Sequence, residues 1–194
     1  MASLQAVEIP ADVLIRARAG DGNAQERIYR DLSGPVYTLL RRLVVRPAIA
    51  EELLQDVFVE ILRSLPNYSA AGSFIGWVRS IAVSKALMYL RSPWHRCLNW
   101  LGAETMLHQA EPATGMAEPV DGDLEQALYN LPAVSRTVVW LYDVEGFTHA
   151  EIARLFGRTA SFSKSQLARA HRQLRERLQP KSGGLACMPI SKNS

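Results

Sequence analysis

Apolar residues recur with helical spacing along most of this sequence, and that spacing constrains the fold more than any other feature. In residues 48–65, AIAEELLQDVFVEILRSL, they stand at intervals of one, three and four positions: Leu53, Leu54, Val57, Phe58, Ile61, Leu62 and Leu65. Residues spaced in this way share one face of an α-helix, which a core can bury. No stretch of useful length alternates with period two, the pattern of a half-buried strand. The sequence therefore predicts an all-α protein.

The helical pattern falls into two blocks separated by a segment of different composition. Residues 92–123 combine prolines, glycines and acidic residues without a sustained period, which is typical of a flexible linker. Within the first block, breaks between helices are predicted at 20–23, 33–35, 46–47 and 65–73. We expect two small helical domains joined by a flexible acidic linker. The predicted boundaries are 12–91 for the first domain, 92–123 for the linker, 124–178 for the second domain and 179–194 for a disordered tail.

Charge is distributed unevenly along a chain whose net charge is only +3. Residues 147–178 carry seven lysines and arginines against two glutamates, a local balance of +5. Residues 92–123 carry one arginine against five acidic residues, a local balance of −4. A concentration of positive charge in one helical segment favours a polyanionic partner such as nucleic acid.

The sequence disfavours several functional classes. Cys97 and Cys187 form no CxxC pair, and His95, Cys97 and His108 lack the spacing of a zinc site. Phosphate-binding glycine loops, nucleophile elbows and HExxH motifs do not occur. We therefore expect no metal, no cofactor and no enzymatic activity. No segment has the roughly 20 apolar residues of a membrane span, and the N-terminus lacks a signal-peptide core, so we expect a cytoplasmic protein without membrane insertion.

Residues 146–178 have the spacing of a helix-turn-helix. Thr148 and Glu151 are three positions apart, as in a capping box at a helix start, and Gly157 is suited to the left-handed turn that ends a helix. A second helix is predicted from Thr159 or Ser161 to Arg177. A solvated basic face is the simpler interpretation of that helix, but the cap, the glycine and the basic residues together favour nucleic-acid binding.

Two blocks of the sequence resemble one bacterial family. The segment LEQALYNLPAVSRTVVWLYDVEGFTHAEIARLFG, followed by KSQLARAHRQLRERL, resembles sigma region four of RNA polymerase sigma factors of the extracytoplasmic-function (ECF) group, within the sigma-70 family. In the first block, IAEELLQDVFVEILRSLPNY is similar to the polymerase-binding helix of sigma region two, and FIGWVRSIAVSKALMYLR to its minus-10-reading helix. The resemblance covers about residues 12–91 and 124–178, with the two regions in the family's order.

The resemblance implies a sigma factor that directs promoter-specific transcription initiation. Its implied partners are core RNA polymerase, through the beta-prime clamp and the beta flap, promoter DNA and an anti-sigma factor. The first domain is then a region-two helical bundle, and the second a region-four helix-turn-helix. The positions that match the polymerase-binding surface are Glu52, Gln55, Asp56 and Glu60.

The minus-10 element is expected to be met by the loop before residue 74 and by the helix after it. The matching positions are Asn67, Tyr68, Ser69, Ser73, Trp77, Arg79, Ser84 and Lys85. Trp77 is expected to pack in the core more than to stack on a base, because large aromatic residues at helical spacing are usually buried. Val83, Ser84 and Met88 stand where the family commonly has an RN pair and a later Asp, so the preferred minus-10 sequence does not follow from the resemblance.

The minus-35 element is expected to be met by the second helix of the helix-turn-helix. The implied contact residues are Thr159, Ser161, Ser163, Lys164, Ser165, Gln166, Arg169 and Arg172, with Arg158 also on the phosphates. Gln166 replaces a common arginine, an exchange that favours adenine over guanine. Ser163 stands where a buried aliphatic residue is expected, and Phe162 is a candidate to supply that side chain.

Two other interpretations use the same patterns. In the first, the chain is an ordinary helix-turn-helix transcriptional regulator whose N-terminal helices dimerise or sense a ligand. In the second, it is an adaptor that binds partner helices and never contacts DNA. The regulator needs no polymerase-binding surface, and the adaptor tolerates loss of charge at Lys164 and Arg169.

Overall fold

The computed structural model describes residues 4–69, 72–92 and 122–179, and in these ranges the chain is helical without β-strands. The all-α prediction is confirmed. The α-helices are α1 Ala11–Arg18, α2 Gly22–Val44, α3 Pro47–Ser64, α4 Phe74–Arg91, α5 Gly122–Tyr129, α6 Ala133–Val139, α7 His149–Phe156 and α8 Ala160–Leu178. Short 3₁₀ turns lie at Leu4–Ala6 and Leu65–Asn67, and a π-helical turn follows α6 at Trp140–Val144. The predicted linker, except for its ends, and most of the predicted tail lie outside the described residues.

Helices α1 to α4 form a bundle around the apolar stripe of α2. The prediction of a break at residues 33–35 is wrong, because α2 continues through Pro35. Leu32 and Val36 are fully buried on either side of the proline, so the stripe is continuous. Pro35 removes one backbone donor. The hydroxyl of Thr38 donates a hydrogen bond to the carbonyl oxygen of Gly34 at 3.0 Å, which provides an additional partner in this turn.

A strained turn joins α2 to α3. Val45 has φ 62° and ψ −45°, and the amide of Arg46 donates to the carbonyl oxygen of Val44 at 2.6 Å, so the three residues form a γ-turn. A positive φ is unfavourable for a β-branched residue. Val45 is buried against the bundle, and Pro47 begins α3 immediately afterwards, so packing and a pre-set φ hold the turn.

The second block is a small helical unit that ends in the predicted helix-turn-helix. Thr148 and Glu151 form a reciprocal capping box at the start of α7, and Gly157 ends α7 in the left-handed conformation with φ 61° and ψ 38°. Thr159 caps α8, because its hydroxyl oxygen accepts a hydrogen bond from the amide of Phe162 at 3.4 Å. The local signals for this motif are therefore confirmed.

The two blocks pack on each other, α2 against α6 and α4 against α7. Their buried residues form one continuous apolar cluster that includes Leu40 and Leu87 of the first block and Val138 and Ile152 of the second. This packing decides which polar surfaces of each block face solvent.

Candidate nucleic-acid and partner interfaces

The outward face of α3 presents a row of polar side chains to solvent. Glu52, Gln55 and Asp56 are exposed at positions i, i+3 and i+4, so they share one side of the helix. Val59 lies one turn further on the same side and is 66% exposed. The opposite side of α3 is buried in the bundle, which fixes the direction in which this row points. Three of the four residues expected to bind polymerase therefore form one accessible surface, the α3 outward face, together with Val59.

Glu60, the fourth expected polymerase-binding residue, has partners within the bundle. Its carboxylate accepts hydrogen bonds from Arg63 at 2.8 Å and from the Ser64 hydroxyl at 3.0 Å, and it lies 3.6 Å from Nζ of Lys85. The hydrogen bond from Arg63 is the largest cause that lowers the pKa of Glu60. Glu60 thus connects α3 to α4 in addition to bordering the α3 outward face.

A cleft between the loop before α4 and the first turns of α4 collects most of the expected minus-10 residues. The wall formed by the first block includes Asn67, Tyr68, Ser69, Ser73, Trp77 and Arg79. The opposite wall includes Phe147 and Glu151 of the second block. We call this space the minus-10 cleft.

The aromatic residues of the minus-10 cleft pack on one another. The ring of Tyr68 lies 5.5 Å from that of Phe74 and 5.0 Å from that of Trp77, measured between centroids, and its hydroxyl donates to the carbonyl oxygen of Gly72 at 2.6 Å. Tyr68 is buried, whereas Trp77 is partly buried against the core. These contacts shape the cleft floor, and the polar atoms of Asn67, Ser69 and Ser73 surround it.

Ser84 and Lys85 lie outside the minus-10 cleft. Ser84 is exposed and, seven residues beyond Trp77, lies about 10 Å along the same side of α4. Lys85 faces Glu60. The expected minus-10 residues are therefore divided between the cleft and the adjoining length of α4.

Arg79 contacts the second block. Its Nη1 donates to the carbonyl oxygen of Glu145 at 2.7 Å, its guanidinium carbon lies 4.4 Å from the centroid of the Phe147 ring, and the Glu145 carboxylate is 3.9 Å away. Burial raises the pKa of the Glu145 carboxyl, and the attraction of Arg79 and a hydrogen bond from Trp140 act in the opposite direction. Arg79 was expected to contact the minus-10 element, but in this arrangement its guanidinium is bound by the second block.

One side of α8 presents the expected minus-35 residues to solvent. Ser161, Lys164, Ser165, Arg169 and Arg172 are exposed and follow helical spacing along that side. Leu167, Ala170 and Leu174 are buried on the other side. Arg158 and Thr159 are exposed just before α8, although the Thr159 side chain also caps the helix. The exposed side of α8 thus carries five of the residues expected to contact the minus-35 element.

The expected DNA contact at Ser163 is wrong. Ser163 is 0% exposed, and its hydroxyl lies 3.0 Å from Nδ1 of His149, where it connects α8 to α7. Phe162 does not replace it in the core, because Phe162 is partly exposed and its ring packs 5.7 Å from that of Phe156. The small polar serine itself fills the buried position, with a hydrogen bond in place of an aliphatic side chain.

Gln166 is half-buried at the edge of the exposed side of α8. Its side-chain carbonyl oxygen accepts a hydrogen bond from the Ser135 hydroxyl at 2.9 Å. A bidentate contact with adenine uses both the amide oxygen and the amide nitrogen of glutamine. Ser135 therefore already contacts one of the two Gln166 atoms that would read adenine.

In the described ranges, no group of three histidine, cysteine, aspartate or glutamate side chains is placed to hold a metal ion. Within the same part of the chain, no helix is both long and apolar enough to cross a membrane. His95, Cys97 and His108 lie outside the described residues.

Comparisons with known proteins match both blocks in order. The Sigma-70 region 2 family model matches residues 28–96, and the Sigma-70 region 4 family model matches residues 121–174. The chain is 31% identical over 167 residues to RNA polymerase sigma factor CarQ of Myxococcus xanthus, over 84% of this chain and 94% of CarQ. This chain belongs to the sigma-70 family of RNA polymerase sigma factors.

A second relative identifies the group within the family. The sigma factor is 26% identical over 176 residues to the ECF RNA polymerase sigma-E factor of Haemophilus influenzae, over 85% of this chain and 93% of the relative. It is an ECF sigma factor that directs promoter-specific transcription initiation. Sigma factors are transcription factors without a catalytic activity of their own. Matches in both regions do not favour the ordinary helix-turn-helix regulator.

The fold of the sigma factor is also similar to a solved structure, RpoE in complex with the anti-sigma factor NepR from Bartonella quintana. The TM-score is 0.53 at 19% identity, over 80% of this chain and 97% of that chain. At this identity the likeness supports the shared helical fold.

The contact residues between the two blocks were missed by the reasoning from sequence. Arg42 donates to the Glu125 carboxylate at 2.8 Å across 83 positions, and its guanidinium carbon lies 5.1 Å from the centroid of the Trp140 ring. No local pattern signals a pair so far apart in sequence. Val59 was also missed, although its place one turn after Gln55 and Asp56 on a polar face is a sequence signal.

Proposed function

We propose that this sigma factor binds core RNA polymerase through the α3 outward face. The observation that carries this proposal is the alignment of Glu52, Gln55 and Asp56 on one exposed side of a helix whose other side is buried. Carboxylates in this arrangement are suited to pair with cationic side chains on a partner helix. Val59 adds exposed apolar area beside them, which a partner can bury. The expected partner surface is the beta-prime clamp.

For the minus-10 element, we propose that the minus-10 cleft and α4 receive melted DNA. An unstacked base needs a pocket with polar groups at its rim and aromatic support beside it. Asn67, Ser69 and Ser73 supply the polar groups, and Trp77 supplies an aromatic edge. Ser84 extends the surface along α4. Lys85 lies beside it and can neutralise a phosphate once its ammonium group leaves Glu60.

For the minus-35 element, we propose that the exposed side of α8 enters the major groove. Lys164, Ser165 and Arg169 are placed to meet base edges, and Arg158 and Arg172 to meet phosphates. The beta flap of the polymerase is a further expected partner, as the family resemblance implies.

We further propose that the factor acts in the cytoplasm and is controlled by an anti-sigma factor. The Bartonella quintana RpoE structure, which has the same helical fold, contains the anti-sigma factor NepR. The identity of a corresponding partner for this chain is a matter for pull-down experiments with the full-length protein.

The experiment that tests the proposed function combines purified full-length protein with bacterial core RNA polymerase. We expect the two to co-elute and to produce transcripts with defined start sites from a fragmented genomic library. The variant E52A/Q55A/D56A should lose co-elution, whereas Glu26→Ala, which removes an exposed carboxylate from α2, should retain it. Binding of duplex DNA without binding of polymerase would instead support a helix-turn-helix regulator.

A further inference from the structure

The exposed side of α8 carries one apolar group among its polar side chains. Within residues 161–177, which the structure describes throughout, the other exposed side chains are those of serine, lysine, arginine and glutamate, and Ala168 alone offers only a methyl group. Leu167 and Ala170 are buried on the opposite side, so packing fixes the direction in which Ala168 points. A single exposed apolar residue is common on protein surfaces and needs no function of its own. Its neighbours on the helix decide whether this methyl group has one.

Ala168 lies among the side chains that are proposed to meet promoter DNA. Lys164 and Arg172 stand four residues before and after it, and Ser165 stands three residues before it, so these residues share its side of the helix. At roughly 1.5 Å per residue, Lys164 and Arg172 are each about 6 Å away along the helix axis. A helix that places Lys164, Ser165 and Arg169 at base edges therefore brings Ala168 to the floor of the same groove.

The short side chain of Ala168 allows the backbone of α8 to approach the bases at this point. Lysine and arginine side chains are several atoms longer than a methyl group, so Lys164 and Arg172 are able to reach past Ala168 to neighbouring bases or phosphates. A methyl group has no hydrogen bond to offer. What it can recognise is another apolar group that DNA presents in the major groove.

Thymine is the base that presents such a group. Its C5 methyl lies in the major groove, whereas the other three bases present only hydrogen-bond donors and acceptors there. Hydroxyl and guanidinium groups read those donors and acceptors, and alanine is one of the side chains that make apolar contact with the thymine methyl. Such a contact removes both methyl groups from water, which is favourable.

We propose that Ala168 reads the C5 methyl group of a thymine in the minus-35 element. This inference rests on the proposed function, because it assigns a base preference to the surface that is proposed to enter the major groove. Ser165 is about 4.5 Å from Ala168 along α8, which is little more than one base step of roughly 3.4 Å. The thymine therefore belongs to a base pair within one or two steps of the pair that Ser165 meets.

Replacement of thymine by deoxyuridine tests this contact, because deoxyuridine lacks the methyl group and keeps every hydrogen-bonding group of thymine. The full-length protein, bound to core RNA polymerase, is titrated with its own promoter. Each thymine of the minus-35 element, on either strand, is replaced in turn. We expect one replacement to weaken binding about fourfold, the effect of returning one methyl group to water. The other replacements should change binding little.

Variants of Ala168 identify the protein side of the contact. Ala168→Gly should bind the promoters with thymine and with deoxyuridine equally at the sensitive position. Glycine also weakens the helix, but this effect is common to both promoters and cancels in the ratio of their affinities. Ala168→Gln, a good helix former that replaces the methyl contact by a polar side chain, should abolish the discrimination as well and serves if the glycine variant fails to fold. Glu176→Gly, the matched control near the end of α8, should keep the fourfold ratio.

The same titrations distinguish failure of the inference from failure of the proposed function. Weakened binding by Lys164→Ala and Arg169→Ala, together with no sensitive thymine, would overturn the inference alone. A sensitive thymine whose effect persists in both Ala168 variants would also overturn it, because the methyl group then acts through the shape of the DNA or through another residue. Promoter binding that is unchanged in the variants of Lys164, Arg169 and Ala168 alike would overturn the proposed minus-35 surface and the inference with it.

Discussion

The α3 outward face and the minus-10 cleft are both lined by hydrogen-bonding side chains, yet they differ in availability. Glu52, Gln55 and Asp56 point into solvent, whereas the polar groups around the cleft lie opposite Phe147 and Glu151 of the second block. Local helical spacing aligns the first set on α3, whereas Asn67, Ser69 and Ser73 of the second set lie in the turn and loop before α4. Contacts between distant parts of the chain decide which set is open to solvent and which lies against protein.

The largest effect is expected at the accessible surface. Charge reversal in E52R/D56R should weaken binding to core polymerase about 100-fold or more, since it places like charges against a cationic partner surface. Titration of labelled core polymerase measures the effect. Glu26→Arg makes a comparable reversal on α2 and should bind normally. Equal binding by E52R/D56R would show that another surface makes the contact.

The next effect is expected on the exposed side of α8. Lys164→Ala or Arg169→Ala should weaken promoter binding by the polymerase holoenzyme by about 1 to 3 kcal/mol if the side chain makes a bidentate base contact. The measurement is a competition assay between promoter and unrelated DNA. Arg177→Ala, near the end of α8, serves as the control for loss of one positive charge. Unchanged selectivity in both variants would remove these residues from the reading surface.

A smaller effect distinguishes core packing from DNA reading at two serines of α8, Ser163 and Ser165. Ser163→Ala should lower the free energy of unfolding by about 1 kcal/mol, because it removes the hydrogen bond between the buried Ser163 hydroxyl and the partly buried His149 ring. Promoter selectivity should stay as it is. Ser165→Ala, on the exposed side of the same helix, should lower promoter selectivity and leave the free energy of unfolding unchanged. Loss of selectivity in Ser163→Ala with unchanged stability would restore Ser163 to the DNA-reading set.

The smallest effect is a pH dependence that distinguishes the two carboxyl environments. The raised pKa of Glu145 means that its contribution to stability is present below its unfolded pKa and is lost as the pH rises through its folded pKa. The lowered pKa of Glu60 gives the opposite sign, with stability present above the unfolded pKa and lost as the pH falls through the folded pKa. Measured against pH, Glu145→Gln should remove a loss of stability that begins as the pH rises above about 4.5, and Glu60→Gln should remove one that begins as the pH falls below about 4.5. Parallel curves for both variants and the unsubstituted protein would contradict these environments.

The helix-turn-helix was predictable because its signals are local. Thr148, Glu151 and Gly157 act within a few residues of their own positions, and the structure places all three as expected. The contact between Arg42 and Glu125 was not predictable, because these residues become neighbours only through packing of the two blocks. The break expected near Pro35 failed for a related reason, since burial of Leu32 and Val36 outweighs the missing donor.

Ser163 shows a second limit of prediction from residue type. Serine is chemically suited both to contact DNA and to fill a small buried site, so its residue type alone did not decide between the two expectations for this position. The 3.0 Å approach to His149 decides the matter. Val45 is similar, because no sequence rule predicts a positive φ at a β-branched residue.

The most direct test combines two binding measurements on the unsubstituted chain. We predict tight binding to core RNA polymerase through the α3 outward face. We predict in addition that the complex with polymerase prefers its own promoter over unrelated duplex DNA. Failure to bind core RNA polymerase, or a polymerase complex without promoter preference, would contradict the central claim that the α3 outward face binds polymerase and the exposed side of α8 reads promoter DNA.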